Sequence, residues 1–190
     1  MGLNVGLLGE LQVEMRLVEE GWHPVRLDTA QMAVNADLFA VRKRDRVAIQ
    51  VKTTKGTGHS HAGFLGFGYA TSHLKDGTPV FNSKDSPLVA DVIVGVHYVR
   101  EASRFVVLPV VVAERLCSKL AHWWFNMPLL DGRVRTNNFP LYLCFTAKRG
   151  THADFHECMK RNLLAFENAW HILNEPIEKL HDAEAWQVWD

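Results

Sequence analysis

In the stretch DLFAVRKRDRVAIQVKTT, from Asp37 to Thr54, two apolar runs flank a short charged turn. "DLFAVRKR" (37–44) and "RVAIQVKTT" (46–54) read as strands joined so tightly that they must form an antiparallel hairpin. The second strand raises a problem. Alternation places Gln50 and Lys52 on one face of a segment that is otherwise apolar. Two long polar side chains side by side on a buried strand are costly unless partners meet them. Across an antiparallel pair, the numbers of facing residues sum to a constant. A Lys43-Arg44 turn therefore sets Asp37 opposite Gln50, and an Arg44-Asp45 turn sets it opposite Lys52. Either register keeps Asp37 on their face and gathers a carboxylate, an amide and an ammonium within roughly 5–8 Å.

An aspartate and an amide carbonyl are hard oxygen donors suited to Mg²⁺, and a lysine beside them stabilises charge on a phosphate or positions an attacking water. Glu10 borders the apolar stripe of the first predicted helix, where its carboxylate can lean over the sheet. Metal-assisted phosphodiester hydrolysis needs these parts: oxygen ligands, an activated water and a cation near the scissile phosphate. Each residue also has a plainer reading. Asp37 and Lys52 suit a cross-strand ion pair, Glu10 and Glu14 suit an ordinary helix N-terminus, and Thr53 and Thr54 are good strand formers.

Around the hairpin, residues 3–20 show a helical stripe of Leu8, Leu11, Met15 and Val18, ended by Gly21 as a C′ residue. "HPVRLD" (23–28) reads as a strand. Residues 56–88, rich in Gly, Ser, Thr and Asn, form an irregular connection of a length that is often functional. "DVIVGVHYV" (91–99) and "RFVVLP" (104–109) make a second strand pair, and 110–125 reads as a helix. A further strand is expected at 139–146, with a helix over about 156–181, broken or restarted near Pro176. The order predicts an α/β or α+β fold, a mixed sheet flanked by helices.

The 190 residues, 47% hydrophobic and 22% charged, suit one well-buried core rather than two domains. No apolar run reaches the roughly 18 residues of a membrane helix; the start lacks a signal-peptide n-region, and Gly6 stands where a myristoylation motif wants Ser or Thr. A cytoplasmic location without membrane association is expected. Cys117, Cys144 and Cys158 match neither a disulfide framework nor a zinc site. Net charge is zero, but residues 37–55 carry six Lys/Arg against two acids, and 175–190 carry five acids against Lys179. Arg42, Lys43, Arg44 and Lys55 thus make a candidate phosphate-facing patch, although "RKRDR" also suits a solvated hairpin tip. His59 and His61 have no third metal ligand at a diagnostic spacing, and substrate contact is their best functional use. Trp123 and Trp124 suit core or interface. "AEAWQVWD" at the end suits docking to another subunit.

Asp37, twelve residues, then Gln50-Val51-Lys52-Thr53-Thr54, preceded by a helix bearing Glu10, resembles the PD-(D/E)xK nuclease superfamily. The match is to the variant with Gln as its second metal-binding position, and it covers about residues 5–110. The resemblance implies a restriction-endonuclease-like core with a middle helix within 56–90, and a C-terminal helical extension, 111–190, packed on the same core. It implies Asp37, Gln50 and Glu10 as ligands of Mg²⁺ (or Mn²⁺), Lys52 as the catalytic lysine, and a DNA endonuclease. Thr53, Thr54, Lys55, Arg42, Lys43, Arg44, His59 and His61 are the candidate nucleic-acid contacts. Two positions depart from the pattern: Ala36 precedes Asp37 in place of Pro, and Gln50 removes a negative charge. The second points to an alternative, an inactive member that binds nucleic acid or a protein partner. Whether copies of the chain associate is left open.

Overall fold

A computed structural model describes residues 4–27, 36–55, 64–67, 72–75, 78–81, 90–98, 103–126, 141–144 and 153–189. Helix α1 (Val5–Glu19) precedes β1 (His23–Arg26), β2 (Leu38–Arg42) and β3 (Asp45–Lys55). Three short strands follow, β4 (Phe64–Phe67), β5 (Ser72–Lys75) and β6 (Thr78–Phe81), then β7 (Val92–Tyr98), β8 (Arg104–Pro109), α2 (Val110–Asn126), β9 (Leu141–Cys144), α3 (Ala153–Ala165) and α4 (Ile177–Leu180).

The central sheet runs β1-β2-β3-β7-β8, with β3 and β7 parallel and the other pairs antiparallel. This mixed sheet flanked by helices is the core expected from the sequence. Val92 to Val96 are all buried, the continuous apolar run of a strand covered on both faces. Among the described residues, the stretch between β3 and β7 forms strands: β5 pairs with β6, and β4 pairs with the distant β9. The middle helix implied within 56–90 is not found among them, and the following helix, α2, comes after β8 instead.

Helix α1 ends as its glycine predicts. Gly21 adopts φ +79°, Trp22 N–H donates to Leu17 O at 2.8 Å and Gly21 N–H to Val18 O at 3.0 Å, the two bonds of a Schellman cap. Its buried face is not the expected one. Gly9, Val13 and Leu17 face the core, while Leu11, Met15 and Val18 are 42%, 65% and 60% exposed. The cause is close approach: a Cβ on Gly9 would lie 1.8 Å from Thr53 Oγ1, so the glycine side is the one that reaches the sheet.

The helix expected over 156–181 is also corrected. α3 stops at Ala165, and the chain then docks on the edge of β8: Val107 N–H donates to Phe166 O and Asn168 N–H to Phe105 O, both at 3.0 Å. Asn168 takes φ +52° to turn away. A 3₁₀ turn (Trp170–Asn174), α4 and a 3₁₀ turn (Ala183–Ala185) follow. Trp170, Ile172 and Leu173 enter the main core together with Met159 and Leu163 of α3, so the later part of the chain packs on the sheet. The final segment, expected to suit another subunit, docks on its own chain. Asn162, fully buried, accepts from Trp189 N–H at 2.9 Å and donates to Trp189 O at 3.0 Å. Lys119 of α2 donates to the same carbonyl at 2.9 Å.

Candidate active site

The hairpin register decides where the polar residues meet. Leu38 pairs with Ile49 and Arg42 with Asp45, leaving Lys43-Arg44 as the turn, with Lys43 at φ +56°. The turn is the first of the two expected, and the paired ladder ends at Leu38 and Ile49. Asp37 itself stands just before β2. Its N–H donates to Ile49 O at 2.9 Å, the carbonyl facing Leu38, so the strand is entered through a bulge-like step. Its carboxylate Oδ2 accepts from Val51 N–H at 2.6 Å, the bond that the register would give to Ala36 O. This charge-assisted bond anchors the carboxylate to the backbone between Gln50 and Lys52.

Gln50 is 7% exposed and pairs with Ile93 of β7. Its amide Oε1 is buried and has no hydrogen-bond partner among the described residues. An orphaned buried acceptor costs about 1–3 kcal/mol; Thr53 Oγ1 on the same strand is buried and unpartnered as well. Lys52, two residues on and half-buried, pairs across the parallel ladder with Gly95, which adds no side chain beside it.

Glu10 follows Gly9 on α1. The helix crosses on the side of Thr53, opposite to the side chains of Gln50 and Lys52, yet the Glu10 carboxyl lies within the field of the other groups. Burial first, then the Asp37 carboxylate, push its pKa up, Glu14 adds to the rise, and Arg26 and Lys52 oppose it. Arg26 Nη1 lies 3.8 Å from Glu10 Oε2, too loose an ion pair to cancel the burial. The same guanidinium donates to Glu14 through its Nε.

Asp37 and Gln50 offer hard oxygens of the kind a divalent cation takes, and the Glu10 carboxyl is near enough to feel the Asp37 charge. Among the described residues, no group of three or more His, Cys, Asp or Glu forms a metal cluster.

The other expected contacts divide. Thr54 shares the face of Lys52, whereas Thr53 is turned under α1 against Gly9. Arg42 stacks over Trp22 at 4.1 Å and donates to Asn174 Oδ1 at 2.7 Å, which ties the hairpin to the C-terminal segment. Lys43 and Arg44 are exposed at the turn. His59, His61 and the side chain of Lys55 lie outside the described residues, as do the side chains of Trp123 and Trp124. Arg26 was missed by sequence reasoning. The available signal was Glu10 and Glu14, like charges four apart on one helix, which repel unless a cation serves both.

No family model matches the chain, and no curated protein does. Among solved structures, a bacterial homing endonuclease, I-Ssp6803I, is similar over 91% of this chain and 92% of its own, at 18% identity and a TM-score of 0.47. MepB is similar over 83% of this chain and 93% of its own, at 11% identity and a TM-score of 0.33. Likeness at this level leaves the reading of the site to its own geometry. No helix among the described residues is long and apolar enough to cross a membrane.

Proposed function

We propose that the chain is a Mg²⁺-dependent nuclease that hydrolyses DNA phosphodiester bonds. The observation that carries this reading is the buried, unpartnered Oε1 of Gln50 beside an anchored Asp37, with Lys52 next on the same strand face. Asp37, Gln50 and Glu10 would hold Mg²⁺ or Mn²⁺, which supplies Lewis acidity and lowers the pKa of a coordinated water. The work of the chain's own residues is positioning and charge. The Val51 N–H fixes the Asp37 carboxylate at 2.6 Å, and Gln50 contributes an oxygen without adding negative charge near the phosphate. Lys52 places its ammonium where charge develops on the scissile phosphate, a contribution that counts for more in a half-buried site than in water. DNA as the substrate rests on the motif resemblance.

Cleavage of plasmid and oligonucleotide DNA with Mg²⁺, against the same reaction in chelator, tests the reading. The expected result is metal-dependent cleavage that falls at least about 100-fold in Lys52→Ala, the scale of losing one transition-state contact. DNA binding should persist in that variant, because one charge is a small part of a multi-phosphate footprint. Cleavage by the pure Lys52→Ala protein at the wild-type rate removes Lys52 from the mechanism. A salt-dependent mobility shift without any cleavage supports the inactive, nucleic-acid-binding reading instead.

A further inference from the structure

Arg26 stands at the end of β1, and the next residue, Leu27, donates its N–H to Asp37 O at 3.0 Å. Two consecutive residues thus touch both parts of the candidate site: Leu27 bonds the main-chain carbonyl of Asp37, and the Arg26 side chain approaches the Glu10 carboxylate. The guanidinium donates to Glu14 through Nε, while Nη1 stays 3.8 Å from Glu10 Oε2. One partner is an anchor and the other a loose contact. Glu14 is the more enclosed of the two acids, with its side chain 22% exposed against 31% for Glu10.

We infer that Arg26 is a positioning residue, a built-in counter-ion that neutralises Glu10 while no metal is bound and yields it when one binds, with Glu14 keeping the guanidinium in place. This deepens the nuclease reading and rests on it. Without a cation, Glu10 and Glu14, four apart on α1, would face each other and Asp37 as three mutually repelling carboxylates. A guanidinium offers several donors in a planar fork, so it stays on Glu14 through Nε while releasing Glu10. In the wild type, metal and Arg26 compete for one carboxylate. Glu14 acts by limiting how firmly Arg26 takes it.

The competition gives a distinctive pattern in a double-mutant cycle. The readout is the affinity for Mn²⁺ and Mg²⁺ alone, measured by calorimetry on the full chain. Arg26→Met should bind metal more tightly, by up to about fivefold, the scale of one partly exposed ion pair. Glu14→Gln frees the guanidinium to close on Glu10 and should weaken binding by a similar factor. The double variant should match Arg26→Met, because Glu14 has nothing to act through once the cation is gone. Arg26→Gln repeats the test if the Met variant does not fold, as judged by thermal unfolding. A double variant that returns to wild-type affinity would mean simple addition of distant charges and overturns the counter-ion role while leaving the metal site standing. Absence of any metal binding by the folded wild type overturns both.

Discussion

At the scale of single residues, the account turns on one amide oxygen. Gln50 Oε1 is buried and has no partner among the described residues, whereas a strand glutamine present for structure alone would be expected to accept a hydrogen bond. Gln50→Glu replaces it by an anionic oxygen of nearly equal reach. Hard cations prefer charged oxygens, so metal affinity should rise by about tenfold, the scale of a charge-assisted contact, and cleavage should persist at lower Mg²⁺. Superimposable Mg²⁺ titrations of wild type and folded Gln50→Glu would show that Gln50 is not a ligand. The hairpin that carries this residue was legible in the sequence: two apolar runs so close together left only a Lys43-Arg44 or an Arg44-Asp45 turn, and the first is the one formed. What spacing did not reveal is the anchor on Asp37, because a carboxylate accepting from the Val51 N–H requires the bulge-like step before β2.

At the scale of elements, helix α1 is held against β3 by the absence of a side chain. A Cβ on Gly9 would stand 1.8 Å from Thr53 Oγ1 and 2.8 Å from Thr53 Cβ. Gly9→Ala should therefore push the helix off the sheet and cost about 1–3 kcal/mol, as overpacking does, despite the better helix propensity of alanine. Because Glu10 moves with the helix, cleavage should fall more than stability alone explains. Thr53→Ala should recover part of both losses, since it removes the nearest clashing atom. Thermal unfolding of the two single variants and the double one measures the coupling; simple additivity would contradict it. This contact also explains why the helix was legible and its buried face was not. The apolar periodicity of Leu8, Leu11, Met15 and Val18 marks a helix correctly, but orientation was decided by Gly9, whose small size carries no weight in a hydrophobic pattern. The strand pairs were readable for the converse reason: hairpins are local. The pairing of β4 with β9 and the return of Phe166–Asn168 to the edge of β8 join residues far apart in the chain, and no local pattern encodes them.

At the scale of the molecule, the C-terminal part is fastened to the sheet by a two-pronged ion pair. Arg104 of β8 donates to Glu167 at 2.6 and 3.0 Å, and these bonds hold the Glu167 carboxyl below its usual range against the opposing effect of burial. A lowered carboxylate pKa stabilises the fold above the unfolded value of about 4.5, and that contribution is lost as pH falls through the lowered folded value. With side chains 34% and 25% exposed, the pair is screened and should contribute about 1 kcal/mol or less. Glu167→Gln should accordingly lose stability at neutral pH and flatten the acid limb below pH 4.5; an unchanged limb by chemical denaturation would assign the acid sensitivity elsewhere. The central claim concerns a different place, the neighbourhood of Asp37 and Gln50, and a crystal of the full chain soaked in Mn²⁺ tests it most directly. Anomalous scattering at the manganese edge should give a peak within coordination distance of a carboxylate oxygen of Asp37 and of Gln50 Oε1. A soaked crystal with no peak there, or with Gln50 Oε1 accepting a hydrogen bond from the protein itself, would contradict the account.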